Sequence, residues 1–140
     1  MFYFAYGSNM SHEQMKERCP DSRFVGRALL PEYSFMYDGY SERRGGAVGN
    51  VAPSKNSVVW GGIFEISEKD LESLDRLEGY PHVYGRQKLP VKDDSGASHQ
   101  AWIYLRPAQK RGDPSHPYRK IIRTGARDCD LPEDYVRQYL

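Results

Sequence analysis

Between residues 24 and 66 the chain carries four short runs rich in β-branched and aromatic residues: FVGRALL, YSFMYDG, GAVGNVAP and SVVWGGIFEI. Glycine, proline, asparagine and serine punctuate them, the pattern of antiparallel strands joined by hairpins. The opening FYFAY is equally β-prone. VYGRQKLPVK and HQAWIYLR add two more strands around the turn-rich DDSGAS. Together these runs describe a closed or strongly curved mixed sheet, and helices must account for what remains.

Four helices are expected. SHEQ reads as a capping box, with Ser11 at the N-cap, Gln14 at the third position and Pro20 closing the segment. SEKD caps a second helix at Ser67, and Gly79 suits its C-terminal cap. PSHPYRKIIRTG predicts a third, with Pro117 in its first turn and Gly125 past its end. LPEDYVRQYL predicts a short fourth helix opened by Pro132, with Tyr135 and Tyr139 one turn apart. No repeat or linker divides the 140 residues, so a single α+β domain spanning 1–140 is expected.

A formal net charge of +1 argues against nucleic acid as a partner, and the Arg43-Arg44 and Lys110-Arg111 pairs read as solvated loops. Cys19 and Cys129 have neither metal nor redox spacing and no adjacent histidine pattern, so a reducing cytoplasm is expected and a nucleophilic hydrolase is disfavoured. No stretch reads as a signal peptide or a membrane span.

Three features suggest chemistry. In LESLDRLEGY, Glu78 falls between Leu71 and Leu74 on the apolar stripe of the second helix. Desolvation by those leucines, the negative end of the helix and the nearby Asp75 would all raise its pKa, which suits a general acid–base. The alternative is a carboxylate reaching solvent at a frayed helix end. Gly7-Ser8-Asn9 joins a strand to a helix, so its backbone N–H groups can cradle a carboxylate, or it is simply a tight turn. Tyr3, Tyr6, Tyr80, Tyr84, Tyr104 and Tyr118 lie near these stretches in sequence or on neighbouring strands; each either lines a pocket or fills a barrel edge.

These motifs resemble the γ-glutamylcyclotransferase family, which includes AIG2-like members. The matching pieces occur in order: YFAYGSNM at 3–10, RRGGAVGNVAPS at 43–54, VVWGGIFEI at 58–66, LESLDRLEGYPHVYGRQKLPV at 71–91 and the segment 114–140. The resemblance implies a small mixed β-barrel with flanking helices. It implies a catalytic Glu78, a substrate-binding loop of Tyr3, Phe4, Ala5, Tyr6, Gly7 and Ser8 completed by Asn9, and pocket tyrosines at Tyr84, Tyr104 and Tyr118. The implied activity forms 5-oxoproline from a γ-glutamyl-amino acid or related γ-glutamyl amide, with no cofactor or metal. YGSN in place of YGSL points away from glutathione. Two rivals stay open: a non-catalytic ligand-binding or adaptor member of the same fold, and a cyclotransferase acting on a γ-glutamylated amine or natural product. The aromatic residues of the last helix suit either a homodimer contact or packing on the barrel.

Overall fold

The computed structural model describes all residues 1–140. Five strands close into a barrel: β1 (Phe2–Ala5), β2 (Arg23–Ser41), β3 (Gly46–Glu65), β4 (Gly85–Asp93) and β5 (Ser98–Leu105). Their order around the barrel is β1-β3-β2-β4-β5. The neighbours are antiparallel except where β1 meets β5 in parallel and seals the barrel. Four α-helices flank it: α1 (His12–Arg18), α2 (Glu68–Glu78), α3 (His116–Asp128) and α4 (Glu133–Tyr139). Phe4, Leu30, Val59, Ile63, Val91 and Ile103 form the centre of the core, all fully buried.

The four expected runs between 24 and 66 are two long, bent strands rather than four short ones. The register between β2 and β3 shifts at Phe24/Gly26, Pro31/Tyr33 and Asp38/Ser41. At Pro31 the pairing jumps from Val58 to Pro53, so residues 54 to 57 bulge outward while the ladder continues. Glu32 (φ 65°) and Asn56 (φ 62°) take the left-handed conformation there, and Asn56 N–H donates to Glu32 Oε2 at 3.0 Å. Bulges absorb the turn-forming residues and bend the strands without ending them.

The helix signals hold with two corrections. Ser11 caps α1 by accepting from Gln14 N–H, but the Gln14 side chain does not return to close a capping box. It donates instead to Ser8 Oγ at 2.8 Å and Asn9 Oδ1 at 2.9 Å. Gly125 lies inside α3, not beyond it. A Cβ there would sit 2.4 Å from Ser11 N and 2.6 Å from Met10 C, so glycine lets α3 touch the chain after β1. Gly125→Ala is expected to destabilise the fold by up to about 2 kcal/mol in urea unfolding, the ~1–3 kcal/mol cost of overpacking against backbone less the ~1 kcal/mol helix-propensity gain. Unchanged stability would show that the contact can relax.

In α4, Tyr135 is buried and its ring lies 4.9 Å from that of Tyr139, so this helix packs down on the barrel. No helix is long and apolar enough to cross a membrane.

Candidate active site

The chain leaves β1 at Ala5 and turns through Gly7 into a 3₁₀ turn, Ser8–Met10. Met10 N–H donates to Gly7 O at 3.1 Å and Ser11 N–H to Ser8 O at 3.0 Å. A turn this short leaves its leading N–H groups without a partner inside it. Asn9 is buried, and its side chain ties the turn together. It donates to Tyr3 Oη at 3.0 Å and accepts from Gln14 and from Arg18 Nη1 at 3.1 Å. Ser8 Oγ accepts from Gln14, which leaves its own proton available for a ligand.

Helix α2 delivers Glu78. Ser67 and Asp70 form a reciprocal capping box at its start. Gly79, at φ 67°, takes the left-handed cap that stops the helix with Glu78 as its last residue. Ser73 Oγ donates to Arg18 O at 2.8 Å, and Asp75 fixes the opposite flank. The Asp75 carboxylate accepts two bonds from Arg86, at 2.9 and 3.2 Å, and one from Tyr104 Oη at 2.6 Å. Asp75 is therefore neutralised by Arg86 and does not act on Glu78 as the sequence suggested.

Glu78, Tyr84 and Tyr118 meet at the junction of two cavities. The inner pocket, about 50 Å³, is lined by Tyr3, Tyr6, Gly7, Ser8, Asn9, Gly49, Glu78, Tyr84, Tyr104 and Tyr118. All the expected site residues therefore come together except Phe4 and Ala5. Those two lie in β1, where both are buried in the core. Tyr80 also stays outside, under the Arg86 guanidinium at 4.3 Å. The outer cleft, about 380 Å³, opens to solvent and carries Arg18, Arg43, Arg44, Arg76 and Arg106.

One residue, Gly49, organises two of the pocket walls. Tyr84 Oη donates to Gly49 O at 2.8 Å, and Gly49 N–H donates to Tyr118 Oη at 3.0 Å. Tyr118 accepts this bond, so its hydroxyl proton remains free for a ligand. Tyr6 and Tyr104 are committed elsewhere: Tyr6 Oη donates to Tyr104 O at 2.6 Å, and Tyr104 Oη to Asp75. Burial pushes the Tyr118 phenol up to about 12, opposed by the Gly49 N–H, so all these phenols are neutral near pH 7.

Burial likewise raises the Glu78 carboxyl above the ordinary glutamate value, while Arg18, Arg43 and Arg44 pull it down through space. The features expected from sequence all raise this pKa, and the three opposing arginines were not among them. Glu78 makes no side-chain hydrogen bond and no ion pair within the protein. A partly buried carboxyl with a raised pKa and no protein partner is equipped to exchange a proton with a ligand.

Arg43-Arg44 is thus not a solvated loop alone. The two residues form the turn between β2 and β3, and Arg44 lies 5.1 Å from the Tyr118 ring while donating to Gln14 Oε1. Composition could not reveal this; the pair's position within a family-like segment was the available signal. Arg106 was missed entirely. It packs on the Tyr84 ring at 4.9 Å and is held by buried Asp38 at 2.6 Å. The cysteines offer no nucleophile. Cys129 does approach His12, Sγ to Nε2 3.8 Å, but the thiol is buried, donates to Met10 O and is pushed up to about 12. Cys19 is buried as well, its thiol pushed up to about 12.

The AIG2-like family model matches residues 58–139. The γ-glutamylcyclotransferases of Mus musculus and Homo sapiens are each 30% identical over 138 residues, spanning 95% of this chain and 73% of theirs. The chain belongs to the γ-glutamylcyclotransferase family. Its fold agrees: a solved γ-glutamyl cyclotransferase structure superposes with a TM-score of 0.92 at 28% identity, over 99% of this chain and 85% of the other. The protein is accordingly an enzyme of the cyclotransferase type.

Proposed function

We propose that the protein converts a γ-glutamyl-amino acid, or a related γ-glutamyl amide, to 5-oxoproline and a free amino acid or amine. The observation that carries this reading is the Glu78 carboxyl, raised in pKa and unpartnered where the inner pocket meets the outer cleft.

The substrate's α-amine is mostly protonated at neutral pH and cannot attack in that form. Glu78 takes a proton from it. The freed lone pair then attacks the substrate's own γ-carbonyl, closing a five-membered ring and placing negative charge on the carbonyl oxygen. As the tetrahedral centre collapses, the bond from the γ-carbon to the leaving nitrogen breaks and Glu78 returns its proton to that nitrogen. The extra proton still on the ring nitrogen then passes through the freed Glu78 carboxylate to the released amine, which departs as an ammonium. The chemistry as written needs no cofactor.

In this reading the γ-glutamyl unit enters the inner pocket, where the Gly7-Ser8 backbone, the Ser8 hydroxyl and the Tyr118 hydroxyl offer donors. Donors fixed in advance stabilise developing charge without rearranging during the reaction. Folding the flexible γ-glutamyl chain back on itself supplies much of the rate, because amine and carbonyl seldom meet in solution.

The test is 5-oxoproline release, measured by mass spectrometry, from γ-glutamyl-amino acids, γ-glutamyl-amines and glutathione. Release from at least one γ-glutamyl-amino acid is expected, with little from glutathione. A folded protein that releases none would favour a binding or adaptor role.

A further inference from the structure

We propose that Arg43 and Arg44 select a dicarboxylic leaving group, so that the preferred substrate is a γ-glutamyl amide of glutamate or aspartate. This rests on the cyclotransferase reading above and adds the identity of the expelled half.

The two cavities differ sharply in charge. No arginine lines the inner pocket, whereas five line the outer cleft with Glu78 as its single carboxylate. Arg106 is already neutralised by Asp38. Arg18, Arg43, Arg44 and Arg76 make no ion pair at all. Their partners are neutral where they have any: Asn9 Oδ1 for Arg18, Gln14 Oε1 and the Tyr118 ring for Arg44. Four guanidinium groups without an ion pair, gathered around the single Glu78 carboxyl, carry an excess of positive charge that an anionic ligand relieves.

With the γ-glutamyl unit in the inner pocket, as the cyclotransferase reading places it, the turn after β1 and Tyr118 serve its carboxylate or its developing oxyanion. What extends into the outer cleft is the leaving group. A neutral amine brings no negative charge there, and a simple amino acid brings one. Several unpaired guanidiniums exceed both. A dicarboxylic amino acid supplies two carboxylates, each able to accept charge-assisted bonds from an arginine fork. Arg43 and Arg44, adjacent on the hairpin turn at the mouth of the cleft, are placed to take the second. The reaction is unchanged: the same amide bond breaks, and glutamate or aspartate departs with the proton that Glu78 returns.

The decisive pair of substrates is γ-glutamyl-glutamate and γ-glutamyl-glutamine, which differ by one charge and hardly at all in shape. Steady-state 5-oxoproline release is expected to show about a tenfold or greater kcat/KM preference for the glutamate amide, weakening as salt screens it. In Arg43→Gln and Arg44→Gln the ratio between the two substrates should fall toward one. The ratio is internal to each protein preparation, so partial misfolding cancels, and the wild-type comparison stands without any variant. Equal kcat/KM for the two substrates overturns the proposal, as does a preference that survives in both variants. Either result leaves the cyclotransferase reading intact. Release of 5-oxoproline from neither substrate nor any other γ-glutamyl amide overturns that reading and this proposal together.

Discussion

Glu78→Gln is expected to slow 5-oxoproline release by roughly 10²–10⁴-fold at saturating substrate, the range a positioned acid–base contributes. The shape is retained, and no hydrogen bond within the protein is lost because the carboxyl makes none. The effect should therefore fall on kcat rather than on folding. In the wild type, activity should decline as pH falls through the raised Glu78 pKa, because the protonated carboxyl cannot accept the ammonium proton. The residual activity of the variant should lack this limb.

The same substitution has an opposite effect on stability, and the sign follows from linkage. The unfolded glutamate ionises near ~4.3, whereas the folded carboxyl keeps its proton to higher pH. Between those two values the folded state binds more protons, so wild-type stability falls as pH rises. Glu78→Gln should be more stable than wild type above the folded pKa, and the difference should vanish below the unfolded one. Urea midpoints at pH 7.5 and pH 4 would measure both ends. Normal turnover in the folded glutamine variant would remove Glu78 from the mechanism.

The largest stability loss is expected at Asp38, which faces no solvent. Its carboxylate accepts from Arg106 Nη1 at 2.6 Å, Gln109 N–H at 2.8 Å and Asn50 Nδ2 at 3.1 Å. Asn50 in turn bonds both backbone groups of Arg106. Asp38→Ala leaves the Arg106 side chain, 7% exposed, without its counter-charge. Removing one partner of a buried pair costs about 3–5 kcal/mol, far beyond the ~1 kcal/mol of a surface ion pair such as Arg23 with Glu65. Because Arg106 also lies against the Tyr84 ring, activity should fall in the variant before global unfolding. Asp38→Ala and Arg23→Ala compared by urea unfolding would check the ranking; equal losses would show that Asp38 is not a structural anchor.

What the sequence made legible was mostly local. Alternating apolar residues and helix caps act over a few positions, so β4, β5, the Ser67 cap and the Gly79 stop were readable. The joining of four runs into β2 and β3 was not, since Pro31 and Asn56 look like turn residues and only the paired ladder shows that they bulge. Gly125 misled for a related reason: a glycine near a helix end resembles a cap, and its close approach to Met10 is a tertiary fact. At the site, the residue pattern singled out Glu78, the turn after β1 and the tyrosines as candidates, and the resemblance gave them roles as a group. It did not distinguish Tyr118, with a free hydroxyl proton, from Tyr104, whose proton is held by Asp75. The arginines were misread because a charged pair on a turn looks the same whether it faces bulk water or a cleft.

The parallel contact between β1 and β5, which seals the barrel through only two residue pairs, has a consequence for how the protein matures. The pocket draws on partners remote in the chain: Tyr6 reaches Tyr104 across 98 positions, and Gly49 reaches Tyr118 across 69. Local structure alone can present Glu78 at the end of α2, but an open chain exposes that carboxyl to water, where it is an ordinary acid. Loop closures of this length come late because their entropy cost precedes their reward. Desolvation of Glu78 and assembly of its surroundings thus coincide with sealing of the barrel, so a nascent or partly folded chain carries the acid without its reactivity.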